Sequence, residues 1–349
     1  MALNPSAVSR VLVRATNWLG DVVMSLPAVR AIRQVFPHAH LAVVARPSVA
    51  ELYERERSVD QVIRYDARAL AAKRAFAAGL RAERFDCAIL LQNAFDAALM
   101  AWMARIPERI GYRRDGRGPL LTRAIAVPEP GEIPRHERFY YLELLRRTGL
   151  MEHFPDCRTI RLDGIAEARE AGMRRLGELG IEGPVIGITP GAAYGTAKRW
   201  LPERFAETAR KLSGSVVVFG SAAERELCAQ VAAVTGGHNL AGETKLGEFI
   251  ELVSVCRLFL TNDSGGMHVA SALGVPTVAV FGATDDTTTG PAGDAARVVR
   301  AHAECSPCLL RECPIDHRCM TRVTSDAVAA AARQLWEEYV PTWTHEARS

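Results

Sequence analysis

Three short stretches of the chain gather acids, hydroxyls, a lysine and glycines in patterns that suit work on a ligand. The first is Thr16-Asn17-Trp18-Leu19-Gly20-Asp21, leading from an apolar run into an amphipathic one. Asp21 then falls at a helix N-terminus, where two readings compete. Aspartate there caps free backbone N–H groups. It also serves as a general base, kept ionised by the positive helix end until an acceptor hydroxyl turns acidic in the transition state. The second stretch is Thr189-Pro190-Gly191-Ala192-Ala193-Tyr194-Gly195, followed by Lys198-Arg199-Trp200. Small residues let backbone amides approach a phosphate, and the lysine adds a point charge. The spacing is neither a P-loop nor GxGxxG. The third is Thr261-Asn262-Asp263-Ser264-Gly265-Gly266-Met267-His268. Gly265 and Gly266 open a helix with unblocked amides, Asp263 suits a sugar hydroxyl, and His268 suits a phosphate. The hydroxyl- and acid-rich loop 281–287 is placed to line the same pocket.

A fourth group is Cys305, Cys308, Cys313 and Cys319, with His317 among them. Four sulfurs this close resemble metal-ligand spacing, but they do not form the paired CxxC motifs of a zinc ribbon. A structural metal site, two disulfides and free thiols all fit, and none of these carries catalysis. Cys87, Cys157, Cys228 and Cys256 are scattered among apolar neighbours and read as reduced core residues.

The elements that must position these groups alternate regularly. Apolar runs at 11–16, 41–45, 61–65, 87–91, 109–112 and 124–127 read as strands, with helices at 21–35 and 94–104 between some of them. After a break near 128–134, helices are expected at 135–147 and 165–179. Strands follow at 185–189, 215–219, 258–261 and 277–281, separated by helices at 202–212, 224–234, 246–254 and 266–273. A last helix is expected at 325–339. Continuous apolar strands alternating with helices predict parallel sheets covered on both faces, hence α/β. The length of 349 residues fits two such domains. Ligands of open α/β sheets bind beyond the carboxyl ends of the strands, where the three stretches lie.

A net charge of +3 does not by itself suggest nucleic acid as partner, and none is expected. The distribution says more: ten arginines stand against six acids between Arg105 and Arg147, without a lysine. Arginine's planar fork suits phosphate and carboxylate, so an acidic ligand on the N-terminal half competes with a solvated charged surface. No apolar run is long enough to span a membrane, and residues 1–9 are too short and polar for a signal peptide, so a cytoplasmic location is expected.

Taken together and in order, the stretch from Asn17 to Pro27, the Pro190-Gly191-Ala192 and Lys198-Arg199-Trp200 block, and the Thr261-Asn262-Asp263-Ser264-Gly265 and Met267-His268 block resemble a known family. This is the ADP-heptose:lipopolysaccharide heptosyltransferases of glycosyltransferase family nine, and within it the heptosyltransferase II group. The resemblance implies a GT-B fold, two Rossmann-like doubly wound domains facing a cleft. It implies an acceptor-binding domain over 1–163, a linker helix and hinge over 164–183, and a nucleotide-sugar domain over 184–324. A closing helix over 325–349 would pack back toward the first domain. The implied reaction is inverting transfer of heptose from ADP-heptose to the heptosyl-Kdo inner core of lipopolysaccharide, with no cofactor required. Asp21 matches the general base and Lys198 the phosphate-neutralising lysine. Asp263, Ser264, Gly265, Gly266 and His268 match the donor-binding strand end. Glu224 matches the acid that holds the ribose, and Thr244 lies where adenine is contacted. Asn17, Arg113 and Arg114 would meet the phosphorylated, lipid-linked acceptor, with peripheral contact at the inner membrane. The alternatives are a related transferase with another acceptor or nucleotide sugar, and a two-domain, non-catalytic sugar-binding protein. The cysteine-rich segment is absent from the best-known members, and Ala283 stands where many relatives have proline.

Overall fold

The computed structural model of the protein describes residues 4–339. The chain divides into two units between Cys157 and Arg158. In the first unit β1 (Arg10–Arg14), α1 (Leu19–Val35), β2 (His40–Ala45), α2 (Pro47–Tyr53), β3 (Gln61–Arg64) and α3 (Leu70–Ala82) come first. They are followed by β4 (Cys87–Leu90), α4 (Phe95–Met103), β5 (Glu108–Tyr112), β6 (Arg123–Ile125) and α5 (Glu137–Arg147). The strands are parallel and run in the order β3-β2-β1-β4-β5-β6.

The second unit opens with α6 (Ile165–Glu178), β7 (Val185–Thr189), α7 (Pro202–Arg210), β8 (Ser215–Val218), α8 (Arg225–Thr235) and β9 (His238–Asn239). Next come α9 (Leu246–Ser254), β10 (Leu258–Asn262), α10 (Gly265–Ala272), β11 (Thr277–Phe281) and α11 (Asp286–Thr289). It closes with β12 (Ala296–Arg300), α12 (Arg318–Thr321) and α13 (Ser325–Glu338). Its parallel sheet runs β12-β11-β10-β7-β8-β9. Each unit thus repeats one doubly wound order, in which strand order reverses beside the unit's first strand. Loops leaving the strands at that switch point splay to opposite faces and leave a crevice between them. The central strands β4, β7, β10 and β11 are buried along their whole length, as helices on both faces require.

Three details differ from the sequence reading. The first domain ends before residue 163, because the chain after Cys157 is already tied into the second unit. The Ile160 and Leu162 N–H groups donate to the Ala292 and Ala272 carbonyls at 2.9 and 3.0 Å. The helix read as a linker over 164–183 is α6, which packs against α9 of the same unit. Its Arg175 donates to Glu248 at 2.7 Å. Over the described residues the closing helix belongs to the second unit as well: Val328, Ala332 and Leu335 join the core containing Trp200 and Phe205. Residues 340–349 of the segment expected to return toward the first domain lie outside the described residues.

The α6–α9 packing rests on Gly172. A Cβ there would sit 2.2 Å from the Glu251 carbonyl oxygen, whereas one at Gly177 on the same helix would meet nothing within 4 Å. Alanine gains helix propensity of about 1 kcal/mol over glycine, and forced overpacking costs about 1–3 kcal/mol. Gly172→Ala should therefore lower the denaturant midpoint while Gly177→Ala holds or raises it. Equal midpoints for the two variants would show that α6 does not depend on this approach.

Candidate active site

In the second unit the loops after β7 and β10 leave the switch point side by side, and Asn262 joins them. This fully buried side chain donates to the Pro190 carbonyl at 2.7 Å and accepts from the Trp200 N–H at 2.9 Å. One amide thereby pins both ends of the loop that carries Lys198. Lys198 Nζ lies 2.6 Å from Asp263 Oδ2, and Thr284 Oγ1 donates to the same oxygen at 2.6 Å. Asp263 is only 4% exposed. The lysine expected to face phosphate and the acid expected to face a sugar hydroxyl are thus each other's partners. Lys198 Nζ also stands 5.0 Å from the Tyr194 ring centroid.

Ser264 precedes α10 with an extended backbone and no capping side-chain hydrogen bond, and Gly265 and Gly266 supply the first two helical amides. Gly266 is closely approached: a Cβ there would come within 3.3 Å of the Thr189 side chain. His268 follows in the fourth helical position and is buried. Glu224 reaches the same crevice from the loop after β8. It accepts from the Ser221 N–H and hydroxyl at 2.9 and 2.8 Å, and its carboxylate fills the space beside Gly191, where a Cβ would collide at 2.0 Å. Thr244 is half-buried in the loop between β9 and α9. That loop packs on the Glu224 loop, because the Gly242 N–H donates to the Gly220 carbonyl at 2.9 Å. The structure therefore brings Lys198, Asp263, Ser264, Gly265, Gly266 and Glu224 to one crevice, with Thr244 on the loop packed beside Glu224.

In the first unit the loop after β1 holds Asn17 and leads into α1, whose first turn holds Asp21. The capping reading of Asp21 is overturned: α1 begins at Leu19 with Trp18 as its cap residue, and Asp21 is the third helical residue. It still lies in the first turn, where the helix dipole favours a negative charge. Asn17 Oδ1 accepts from the buried Arg14 guanidinium at 3.3 Å, so that oxygen is engaged within the loop. Glu137 opens α5 and stands within the field of both Asp21 and Arg114. Burial first, and then the Asp21 charge, raise the Glu137 carboxyl above its ordinary value, while Arg114 pulls it back. Burial and the same two acids push the Tyr141 phenol up.

The sign of this effect gives a prediction. A raised folded value means that ionised Glu137 costs stability, with no cost below the ordinary value of 4.5 and the full cost above the raised one. Glu137→Gln should raise the melting temperature near pH 7.5 and leave it almost unchanged near pH 4. An equal shift at both would mean that Glu137 carries no ionisation penalty.

The arginine-rich segment is mostly spent on the fold. Arg117 is fully buried, donating to the Tyr112 carbonyl at 2.8 Å, to Asn93 Oδ1 at 3.0 Å and to the Gln92 carbonyl. Arg109 holds the Leu120 and Ile106 carbonyls, Arg123 pairs with Glu108, and Arg146 and Arg147 clasp Glu143. Arg113 and Arg114 remain exposed beside a hollow of about 380 Å³ that they line with Gly116, Gly118, Pro119 and Ala124.

Residues 73–318 match glycosyltransferase family 9 (heptosyltransferase). Over 307 residues the chain is 33% identical to lipopolysaccharide heptosyltransferase 2 of Salmonella typhimurium, covering 83% of this chain and 88% of that one. The chain belongs to glycosyltransferase family 9. The solved Escherichia coli ADP-heptose lps heptosyltransferase II superposes with a TM-score of 0.80 at 28% identity, covering 94% of this chain and 99% of that one. A family 9 glycosyl transferase from Veillonella parvula shares the fold, with a TM-score of 0.82 at 23% identity, covering 95% and 98%. The two Rossmann-like units are thus the two domains of a GT-B glycosyltransferase.

For this family 9 enzyme the structure adds groups that the sequence reading passed over. Asn262 and Tyr194 sit inside the quoted motifs, yet neither is among the expected site residues. Thr284 was foreseen only as part of a polar loop. All eight cysteines are free, and no group of three or more His, Cys, Asp or Glu side chains among the described residues is arranged to hold a metal ion. Cys87, Cys157, Cys228 and Cys256 are buried as expected, and burial pushes the Cys87 and Cys228 thiols up to about 12.

Proposed function

We propose that this glycosyltransferase moves L-glycero-D-manno-heptose from ADP-heptose to the heptosyl-Kdo inner core of lipopolysaccharide, with inversion at the anomeric carbon. One coincidence carries the reading. A chain 33% identical to a lipopolysaccharide heptosyltransferase 2 has a part-buried Lys198–Asp263 pair beside the glycine-opened helix at its switch point. An inverting transfer needs stabilised negative charge on the leaving diphosphate and a base for the incoming hydroxyl.

The acceptor oxygen attacks the anomeric carbon as the bond from that carbon to the diphosphate oxygen breaks, and ADP leaves with the electron pair. Lys198, His268 and the amides at Gly265 and Gly266 stabilise the charge gathering on ADP. Asp21 takes the hydroxyl proton. Glu224 holds the ribose and Thr244 contacts the adenine, while Asp263 and Ser264 orient the sugar. Asn17, Arg113 and Arg114 meet the phosphorylated acceptor, so the first domain binds acceptor and the second binds donor. No helix of the described residues is long and apolar enough to cross a membrane. The enzyme meets its lipid-linked acceptor as a peripheral visitor at the cytoplasmic face of the inner membrane.

The test is a transfer assay with ADP-heptose and a graded set of truncated core acceptors. Product should form only on acceptors ending in heptosyl-Kdo, with an inverted anomeric centre by NMR. Preference for another nucleotide sugar, or transfer to an acceptor lacking heptose, would replace this substrate assignment.

A further inference from the structure

The cysteine-rich segment is built into the second domain's crevice. Ala197, the residue before Lys198, donates its N–H to the Arg311 carbonyl at 3.0 Å, and its own carbonyl stands 2.9 Å from His317 Nε2. The Tyr194 hydroxyl donates to the Leu309 carbonyl at 3.0 Å. On the other side, the Leu309 N–H donates to the Ala283 carbonyl at 2.8 Å and the Ser306 hydroxyl to the Gly282 carbonyl at 2.6 Å. The segment therefore grips both the loop carrying Lys198 and the loop carrying Thr284. The fit is close, since a Cβ on Gly195 would lie 2.2 Å from the Arg311 carbonyl oxygen.

The charges around this crevice do not balance in favour of an incoming diphosphate. Lys198 is neutralised by Asp263 at 2.6 Å, Arg199 faces Glu224 at 3.9 Å, and Arg300 pairs with Asp286 at 2.5 Å. Arg311 is exposed and has no ion pair among the described residues, nor has its exposed neighbour Glu312. Its guanidinium carbon stands 5.1 Å from the centroid of the Tyr194 ring, the ring that also carries Lys198 Nζ at 5.0 Å. One aromatic ring thus holds an unpaired guanidinium near a paired ammonium, and stacking on it steadies a side chain that would otherwise roam in solvent.

We propose that Arg311, presented by the cysteine-rich segment, is a second cation for the diphosphate of the donor. Lys198 enters the complex shared with Asp263, and Arg311 supplies the positive charge that this pair lacks. Its fork can take two phosphate oxygens at once, which an ammonium cannot. This rests on the second domain being the nucleotide-sugar site.

Calorimetry of the full chain with ADP and with adenosine tests it. Hydrogen bonds to charged groups imply that Arg311→Gln should weaken ADP binding by about ten- to a hundredfold. Adenosine affinity should stay unchanged, and Arg311→Lys should recover part of the loss. Raising the salt concentration should weaken ADP binding less steeply in Arg311→Gln than in the wild type. Unchanged ADP affinity would overturn the proposal. So would a parallel loss for ADP and adenosine, which would make Arg311 only a support of the loop. A wild-type protein that binds no ADP would overturn the donor reading itself, and this proposal with it.

Discussion

Asp21→Asn should abolish most heptosyl transfer while leaving the fold and the affinity for ADP intact. Asp21 is the third residue of α1, so its stabilising role is a first-turn charge rather than a cap. Losing that charge typically costs about 0.3–1 kcal/mol. Removing the like charge felt by Glu137 offsets part of it. The melting temperature should hardly move. Asparagine keeps the size of the side chain but cannot accept the hydroxyl proton, and general-base catalysis is worth about 10² to 10⁴ in rate. Turnover should fall by at least the lower figure, with ADP titrating as in the wild type if the nucleotide binds the second domain as proposed. A variant that transfers at nearly the wild-type rate would strip Asp21 of the role. The base would then be sought among the groups gathered near it, beginning with Glu137.

How far the sequence could lead is visible in particular elements. β7, β10 and β11 are buried along their whole length because helices cover both faces, and their mostly apolar residues make their type and place legible. β9 has only two residues, and β12 is a half-exposed edge strand with arginines at 297 and 300, so neither shows an apolar run. α3 is not among the expected helices, although its apolar residues lie on one face; it buries only Ala77 and Leu80. The start of α1 was set at Asp21 because the periodic apolar positions begin at Val22, while the helix itself opens at Leu19.

The site divides along the same line. Glycines and polar residues at a strand end are a local pattern, and Gly191, Gly265 and Asp263 stood out. Which groups pair is a tertiary fact. Lys198 and Asp263 are far apart in sequence, and only the adjacency of β7 and β10 brings them together. The ten arginines between Arg105 and Arg147 look alike in composition, yet Arg117 is a buried clamp and Arg113 an exposed side chain. Burial decides between such roles, and no residue type announces it.

The Lys198–Asp263 pair allows structure and catalysis to be separated by a double-mutant cycle. Both side chains are largely buried, at 13% and 4% exposure. Removing one partner of a buried pair costs about 3–5 kcal/mol, because the remaining charge is stranded. Lys198→Met should therefore lower the melting temperature sharply, leaving Asp263 with Thr284 alone. Asp263→Asn should be milder, since Lys198 has some solvent and the Tyr194 ring nearby. Combining the two removes both charges, so the double variant should regain stability over Lys198→Met. Catalysis should not follow. If Lys198 meets the charge developing on the leaving diphosphate, its loss should cost about 10² to 10³ in turnover, as when one preorganised donor is removed from an anion site. That loss should persist in the double variant, together with weakened ADP binding. Melting curves, ADP calorimetry and transfer rates on the three variants make the comparison. Recovery of transfer along with stability would mean that Lys198 serves only to neutralise Asp263, and that phosphate is held by the helix amides and by Arg311.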